Sequence, residues 1–331
     1  VRRRLPTLLL TLLVGLGVLG VPRAAVVAVE ASVQAPRVVP VALAPAPAPA
    51  VALGAAPANG MGAARAGSYQ LQGLQRRYFV HLPRGVRPLT PAPVLVVLHG
   101  LDLSPAWAQH TTGFDALADK VGAVVVYPEG FGGSWSAGTC CGDAAGRGLD
   151  DVTALQVVLD RVAESTLVDR RRVVFVGFSN GGMLAHEVAC RVSGQVAGIV
   201  VVGGSREYDP CRPTSPVRVV AVHGAQDRAV PLAGGRSTQL PGRLASETTS
   251  LLPYLSADGC RTMTSSRIGS RARSTRWGCD AGGVRLIVVN RLAHRWPTAL
   301  PGSGSIPDLT WRMMRTARSP LPFGQEVLDA R

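Results

Sequence analysis

Lysine is nearly absent from this chain: Lys120 is the only one, so the formal charge of +14 is carried by arginine. The arginines are scattered, with no zinc-finger, helix-turn-helix or aromatic RNA-binding signature between them, and a nucleic-acid partner is not expected. Arginine in place of lysine almost everywhere points to compositional bias rather than to a binding surface. Charged residues make up only 17% of the 331 and aromatics 5%, while 47% are hydrophobic. That balance excludes a disordered chain and leaves ample material for a buried core. No cysteine precedes Cys140, which argues against a lipid-modified N-terminal cysteine, and no two cysteines are spaced CxxC. The adjacent Cys140 and Cys141 suit tetrahedral ligation badly, so no metal is expected. There is no internal repeat.

What is present begins with Arg2, Arg3 and Arg4, followed by the uncharged stretch LPTLLLTLLVGLGVLGV (5–21) and by small residues around Ala28 and Ala31. A basic, then apolar, then small-residue run reads as a signal peptide over 1–31. The apolar run is short for a span and holds Pro6, so export with cleavage is expected ahead of an uncleaved anchor, with no stable membrane insertion afterwards. Residues 32–67 are rich in Ala, Pro and Gly, include APAPAPA at 44–50, and read as a disordered linker. A folded domain is expected over 68–331.

In an exported chain, six cysteines read as disulfides. Cys260 and Cys279 bracket an arginine-rich loop, and Cys190 and Cys211 bracket a strand-and-loop segment. Closing each loop stabilises by about 3 kcal/mol in the chain-entropy model. For Cys140 and Cys141 two readings stay open: a vicinal disulfide shaping a loop, or pairing elsewhere or free buried thiols.

From residue 68 onward the pattern alternates. RRYFVHLP (76–83), APVLVVLHG (92–100), AVVVYPEG (123–130), RRVVFVGFS, VAGIVVVGG, VRVVAVHG (217–224) and VRLIVVN (284–290) read as strands. GFDALADKVG (113–122), LDDVTALQVVLDRVAEST (149–166), NGGMLAHEVACRV and SIPDLTWRMMRTA read as helices, with Asp150 and Asp151 suited to a helix N-terminus. Wholly apolar strands between amphipathic helices imply an α/β fold: a mostly parallel sheet with helices on both faces.

One strand runs into Gly177-Phe178-Ser179-Asn180-Gly181, a G-x-S-x-G pattern in the context of strand, sharp turn and helix. Such an elbow brings the residues two before and two after the serine together, so glycine fits both places. It also sets the hydroxyl at a helix N-terminus, where N–H groups and dipole favour developing negative charge. A serine needs a base, and the base an orienting acid. Asp227 follows the end of VRVVAVHG and His294 follows the end of VRLIVVN, giving the chain order Ser, Asp, His that this fold requires. The expected triad is Ser179, Asp227 and His294. Its oxyanion hole is expected from the backbone N–H groups of Leu101, after LHG, and Asn180. His99 and His223, each before a glycine at a strand end, are expected to be structural.

Together these segments resemble the secreted polyhydroxybutyrate depolymerase and feruloyl esterase-like proteins of the α/β-hydrolase superfamily. The similarity runs from about residue 69 to 318 and rests on RRYFVHLP, LVVLHG, ADKVGAVVVYPEG, Trp135 with CCG, LDDV, GFSNGGM, VHGAQDRAVP and HRWP. The resemblance implies the same triad. The chain departs from the pattern at Leu101-Asp102-Leu103, where a Gly-rich loop is usual, and at Ala293, where glycine is usual. Trp296, beside the histidine, is a candidate wall of the substrate cleft. The eight arginines between Arg261 and Arg295 form a solvated face that could attract acidic polysaccharide or cell envelope.

The expectation is therefore a secreted serine carboxylesterase, needing no cofactor, that acts on small or oligomeric esters such as hydroxybutyrate oligomers, feruloyl esters or acetyl esters. Its rivals are an acyltransferase to sugar or lipid hydroxyls and a non-catalytic envelope-binding protein with the same fold.

Overall fold

The computed structural model describes residues 64–83 and 90–324. The expected signal peptide and all of the expected linker before residue 64 lie outside them. A ten-stranded sheet forms the frame: β1 (Ala64–Leu71), β2 (Leu74–His81), β3 (Ala92–Leu98), β4 (Val124–Pro128), β5 (Val168–Phe178), β6 (Gly198–Val202), β7 (Arg218–Gly224), β10 (Thr262–Ile268), β11 (Ala272–Gly278) and β12 (Gly283–Val289). β8 (Gly235–Arg236) and β9 (Arg243–Leu244) make a separate two-stranded ribbon. The order across the sheet is β1-β2-β4-β3-β5-β6-β7-β12-β11-β10. From β4 to β12 every neighbouring pair is parallel, and the two outer strands on either side are antiparallel. This is the α/β-hydrolase fold.

Parallel strands need crossovers, and the helices that make them cover both faces. On one face α4 (Asp151–Ser165), α5 (Asn180–Arg191) and α6 (Glu247–Ala257) pack on Val94, Val96 and Leu98 of β3 and their neighbours. On the other face α1 (Pro105–Thr112), α2 (Phe114–Val121) and α7 (Ile306–Met314) pack on Leu95, Val97 and Val176. Alternate residues of β3 thus belong to opposite cores, and all seven are buried. Each Val or Leu so buried contributes about 1.5–3 kcal/mol relative to exposure. The short α3 (Gly142–Gly146) follows the cysteine pair.

Two sequence expectations change. β1 begins at Ala64, four residues ahead of the boundary expected at residue 68, because ARAG needs only backbone pairing to β2 to form a strand. The segment between Cys260 and Cys279 is a β-hairpin rather than a loop, with β11 paired to β12. Its outer strand TMTSSRI is exposed on both faces, so no apolar alternation announces it.

All six cysteines are paired: Cys140–Cys141, Cys190–Cys211 and Cys260–Cys279. The first pair is vicinal, across a cis peptide bond. Asp258 lies close to Cys260 and Cys279, but both thiols are consumed by their disulfide and the carboxylate accepts the N–H groups of Val217 and Gly283. That corner is structural.

Candidate active site

β5 ends at Phe178 and α5 starts at Asn180, leaving Ser179 alone to reverse the chain. Its φ of 53° and ψ of −122° lie where a side chain is strained, and that strain must be held by the packing around it. A Cβ on Gly177 would fall onto the Gly181 carbonyl, so the two glycines two residues either side of Ser179 are what allow the turn. Ser179 is nearly buried, at 6% exposure.

Asp227 follows β7 and His294 follows β12, and the two strands are neighbours in the sheet. The sheet therefore delivers both loops to the edge where Ser179 sits. Ser179 Oγ is 2.8 Å from His294 Nε2, and His294 Nδ1 is 2.7 Å from Asp227 Oδ2. With Nδ1–H donating to the carboxylate, Nε2 is the acceptor for the serine O–H. The other carboxylate oxygen, Asp227 Oδ1, accepts the Val230 N–H at 2.8 Å, which fixes its rotamer. Sequence order thus singled out three residues that the fold brings into one hydrogen-bonded line. Such a line can draw the serine proton to the imidazole as the oxygen attacks an electrophilic carbon.

The oxyanion-hole candidates come from two segments clamped together by one side chain. Trp135 is fully buried; its indole N–H donates to the His99 carbonyl at 2.9 Å, while its backbone N–H donates to Asn180 Oδ1 at 2.7 Å. Asn180 Nδ2 returns a bond to the Trp135 carbonyl at 3.0 Å and reaches Cys141 Sγ at 3.6 Å. One helical face further along, Glu187 Oε2 accepts the Gly138 N–H at 2.9 Å. The loop carrying the vicinal disulfide is therefore fastened to α5, and through Trp135 to the turn before Leu101. His99 is buried; Nδ1 donates to the Gly100 carbonyl and Nε2 accepts the Gly130 N–H, the structural role expected of it. Burial lowers its pKa and keeps it neutral. Where a Gly-rich loop is usual, Asp102 adopts φ 57°, a conformation aspartate tolerates better than most residues, and its N–H donates to the Gly133 carbonyl. The backbone N–H of Asn180 opens α5, where no intrahelical partner exists for it.

Trp296, the candidate cleft wall, is 8% exposed and meets Phe178 and Phe114 edge-on. It lines a cavity of about 370 Å³ together with residues such as Thr112, Lys120 and Asp308, and none of Ser179, Asp227 and His294 does. The aromatic ring against the histidine is Phe178, stacked on His294 at 5.0 Å and in turn on the half-buried Trp107 at 5.4 Å. Sequence reasoning passed over Trp107 and the Asn180 amide, and named Trp135 only as part of a motif, with no role. The only available signals were the tryptophan two residues after SP in the loop beyond LHG and the asparagine next to the serine.

Residues 150–241, which hold the elbow and Asp227, match the family described as Phospholipase/Carboxylesterase. The bifunctional acetylxylan esterase/xylanase XynS20E of Neocallimastix patriciarum is 27% identical over 72% of this chain, which spans about a third (33%) of that protein. Feruloyl esterase D of Neurospora crassa is 27% identical over 78% of this chain and 89% of its own length. Among solved structures, acetyl xylan esterase from Aspergillus awamori superposes with a TM-score of 0.55 at 13% identity, over 72% of this chain and 94% of that one, a likeness of fold. The fold is thus that of the α/β-hydrolases. More narrowly, the chain resembles proteins described as feruloyl and acetylxylan esterases.

Proposed function

We propose that this protein is a secreted carboxylesterase in which Ser179 is the nucleophile, His294 the general base and acid, and Asp227 the group that holds the imidazole in its working tautomer. The observation that carries the reading is the unbroken line from Ser179 Oγ through His294 to Asp227, set on a strained elbow. Ser179 Oγ adds to the ester carbonyl as its proton passes to His294 Nε2. The oxyanion is stabilised by the N–H groups of Leu101 and Asn180. The imidazolium returns the proton to the departing alcohol, leaving an acyl-enzyme. Water then adds to the acyl carbon with His294 as base, releasing the acid and restoring the serine.

The substrates we propose are small or oligomeric esters, with feruloyl and acetyl esters of xylan first. Supporting this are the names of the relatives and the half-buried Trp107, stacked on Phe178 beside His294, whose exposed part offers a flat acyl group an aromatic surface. Three disulfides support an oxidising, extracellular setting. No helix among the described residues is long and apolar enough to cross a membrane. Exposed Arg267, Arg271, Arg273, Arg291 and Arg295, at the His294 end of β10, β11 and β12, would draw acidic polysaccharide towards the site.

The test is a substrate panel of p-nitrophenyl acetate, methyl ferulate, acetylated xylan and hydroxybutyrate oligomers, run beside fluorophosphonate labelling. Hydrolysis of at least one ester with covalent label on Ser179 is the expected result. No label and no turnover on the whole panel would remove the proposal.

A further inference from the structure

Behind the triad lies a second histidine–carboxylate pair with no part in the reaction described above. His223 sits on β7 and Glu247 at the start of α6; each side chain is 1% exposed. His223 Nδ1 is 2.7 Å from Glu247 Oε2, and Nε2 is 2.8 Å from the Val230 carbonyl. The Val230 carbonyl can only accept, so Nε2 carries hydrogen. The proton on the Nδ1–Oε2 line then sits either on the ring, giving an imidazolium facing a carboxylate, or on Glu247, giving a neutral ring facing a carboxyl. The ring also reaches the triad: Nε2 is 3.7 Å from Asp227 Oδ2, the oxygen that receives the His294 proton bond. Val230 closes the circle, its carbonyl accepting from His223 while its N–H donates to Asp227 Oδ1.

Resting on the triad assignment above, we propose that His223 is a buried imidazolium held by Glu247, and that this pair positions and counters the Asp227 carboxylate; both are positioning residues of the triad. Without the imidazolium, two carboxylates, Asp227 and Glu247, would be buried in one region with no cation between them, an arrangement that drives one of them to protonate. With it, a cation lies 3.7 Å from Asp227 Oδ2, and the carboxylate's charge is partly offset before it is felt at His294. Burial by itself would lower the pKa of His223, but the bond and charge of Glu247, the Val230 carbonyl and the charge of Asp227 carry it above the ordinary histidine value. Glu247 and Asp227 are the charged groups that act on this ring. Arg206, which acts on Tyr254 of the same helix, is engaged with the Tyr208 carbonyl and Asp209. Glu247 Oε1 has no hydrogen-bond partner among the described residues, so its ring contact is directed wholly at His223.

The direct test reads protonation in the intact wild-type protein. Ring ¹H–¹⁵N correlations of histidine-labelled protein, assigned by comparison with His223→Gln, should show two ring N–H protons for His223 at about pH 8, where an ordinary histidine near 6.5 is neutral. A single ring proton, or a neutral-tautomer nitrogen pattern, overturns the proposal. The second arm is the pH dependence of kcat/KM in Glu247→Gln. Loss of the counter-charge strips His223 of its proton and leaves the Asp227 field on His294 unopposed, so the rising acid limb should move to higher pH by about half to one unit. That is a deficit of about three- to tenfold on the limb, shrinking towards the plateau. A loss equal at every pH would mean a spacer only, and would also overturn it. The spectrum needs no turnover, so it can fail while Ser179 still labels, and it stays readable if the esterase reading fails.

Discussion

The centre of the sheet and its β10–β11 edge are built to different rules. β3, β4 and β6 are buried at every residue, and the loops that leave β5, β7 and β12 carry Ser179, Asp227 and His294. β10 has six exposed residues of seven, takes its place by pairing to β11, and is tied at its base by Cys260–Cys279. In the centre, side-chain burial supplies the stability and the ends of strands are free to hold chemistry. At the edge, backbone pairing and a covalent tie do the holding, and the side chains are free to meet solvent. Damage to the two regions should therefore read out differently, the first in activity or cooperative folding and the second in stability alone.

The largest effect should come from Ser179→Ala. Turnover of the best ester is expected to fall by more than about a thousandfold, the usual worth of a triad nucleophile, with an unchanged melting temperature or a slightly higher one as elbow strain is relieved. Residual activity above that level, measured with burst-free active-site titration, would cut the site loose from the central sheet.

Next is the buried ion pair at the joint between β2 and α4. Arg76 Nη1 bonds Asp151, whose second oxygen takes the Ser136 N–H, and both side chains are almost wholly enclosed. Burial pushes the Asp151 carboxyl up, against the pull of Arg76. Arg76→Ala leaves that carboxylate unpaired and should cost about 3–5 kcal/mol in urea unfolding, with activity falling only as the folded fraction does. A cost near zero would show that the joint is not part of the cooperative unit.

The edge gives the sharpest contrast. Cys260→Ser with Cys279→Ser should cost about 3 kcal/mol by the chain-entropy argument and leave kcat/KM within about twofold. Equal loss of stability and of activity would mean that the hairpin shapes the site.

The smallest effect concerns the cap of α4. Asp150 accepts the Thr153 N–H and faces Arg191; burial pushes its carboxyl up, but Arg191 and the Thr153 bonds bring it down to about 2. A folded-state value below the unfolded one gives stability that is present above about pH 4 and is lost as pH falls towards 2. Asp150→Asn keeps the cap, so its deficit in melting temperature should be small at neutral pH and vanish over that window. The carboxylate is partly exposed, and solvent screening keeps the effect modest.

The same contrast explains what could be read without coordinates. A strand buried on both faces must be apolar throughout, so AVVVYPEG and VAGIVVVGG announce themselves, and strand ends then locate Asp227 and His294. β10 has no such obligation, and its Thr and Ser read as loop. α6 hides because Pro253 and its threonines break the helical signal, although Ser246 caps it. Ser179 was legible because its glycines are a backbone requirement local to five residues. The contacts of Trp135, Trp107, His223 and Glu247 were not, because each is made with a partner 7 to 71 residues away: Val230, Phe178, Asn180, Glu247.

Asn180 does two jobs with one residue, and the two cannot be varied independently. Its main chain opens α5 beside Ser179, while its amide grips the Trp135 backbone on both sides. Any change of length around residues 131–142 therefore has to keep position 135 in the grip of that amide, or the turn at Ser179 loses one of its two ties to the loop. A single carboxamide couples the geometry of the elbow to that of the loop beside it.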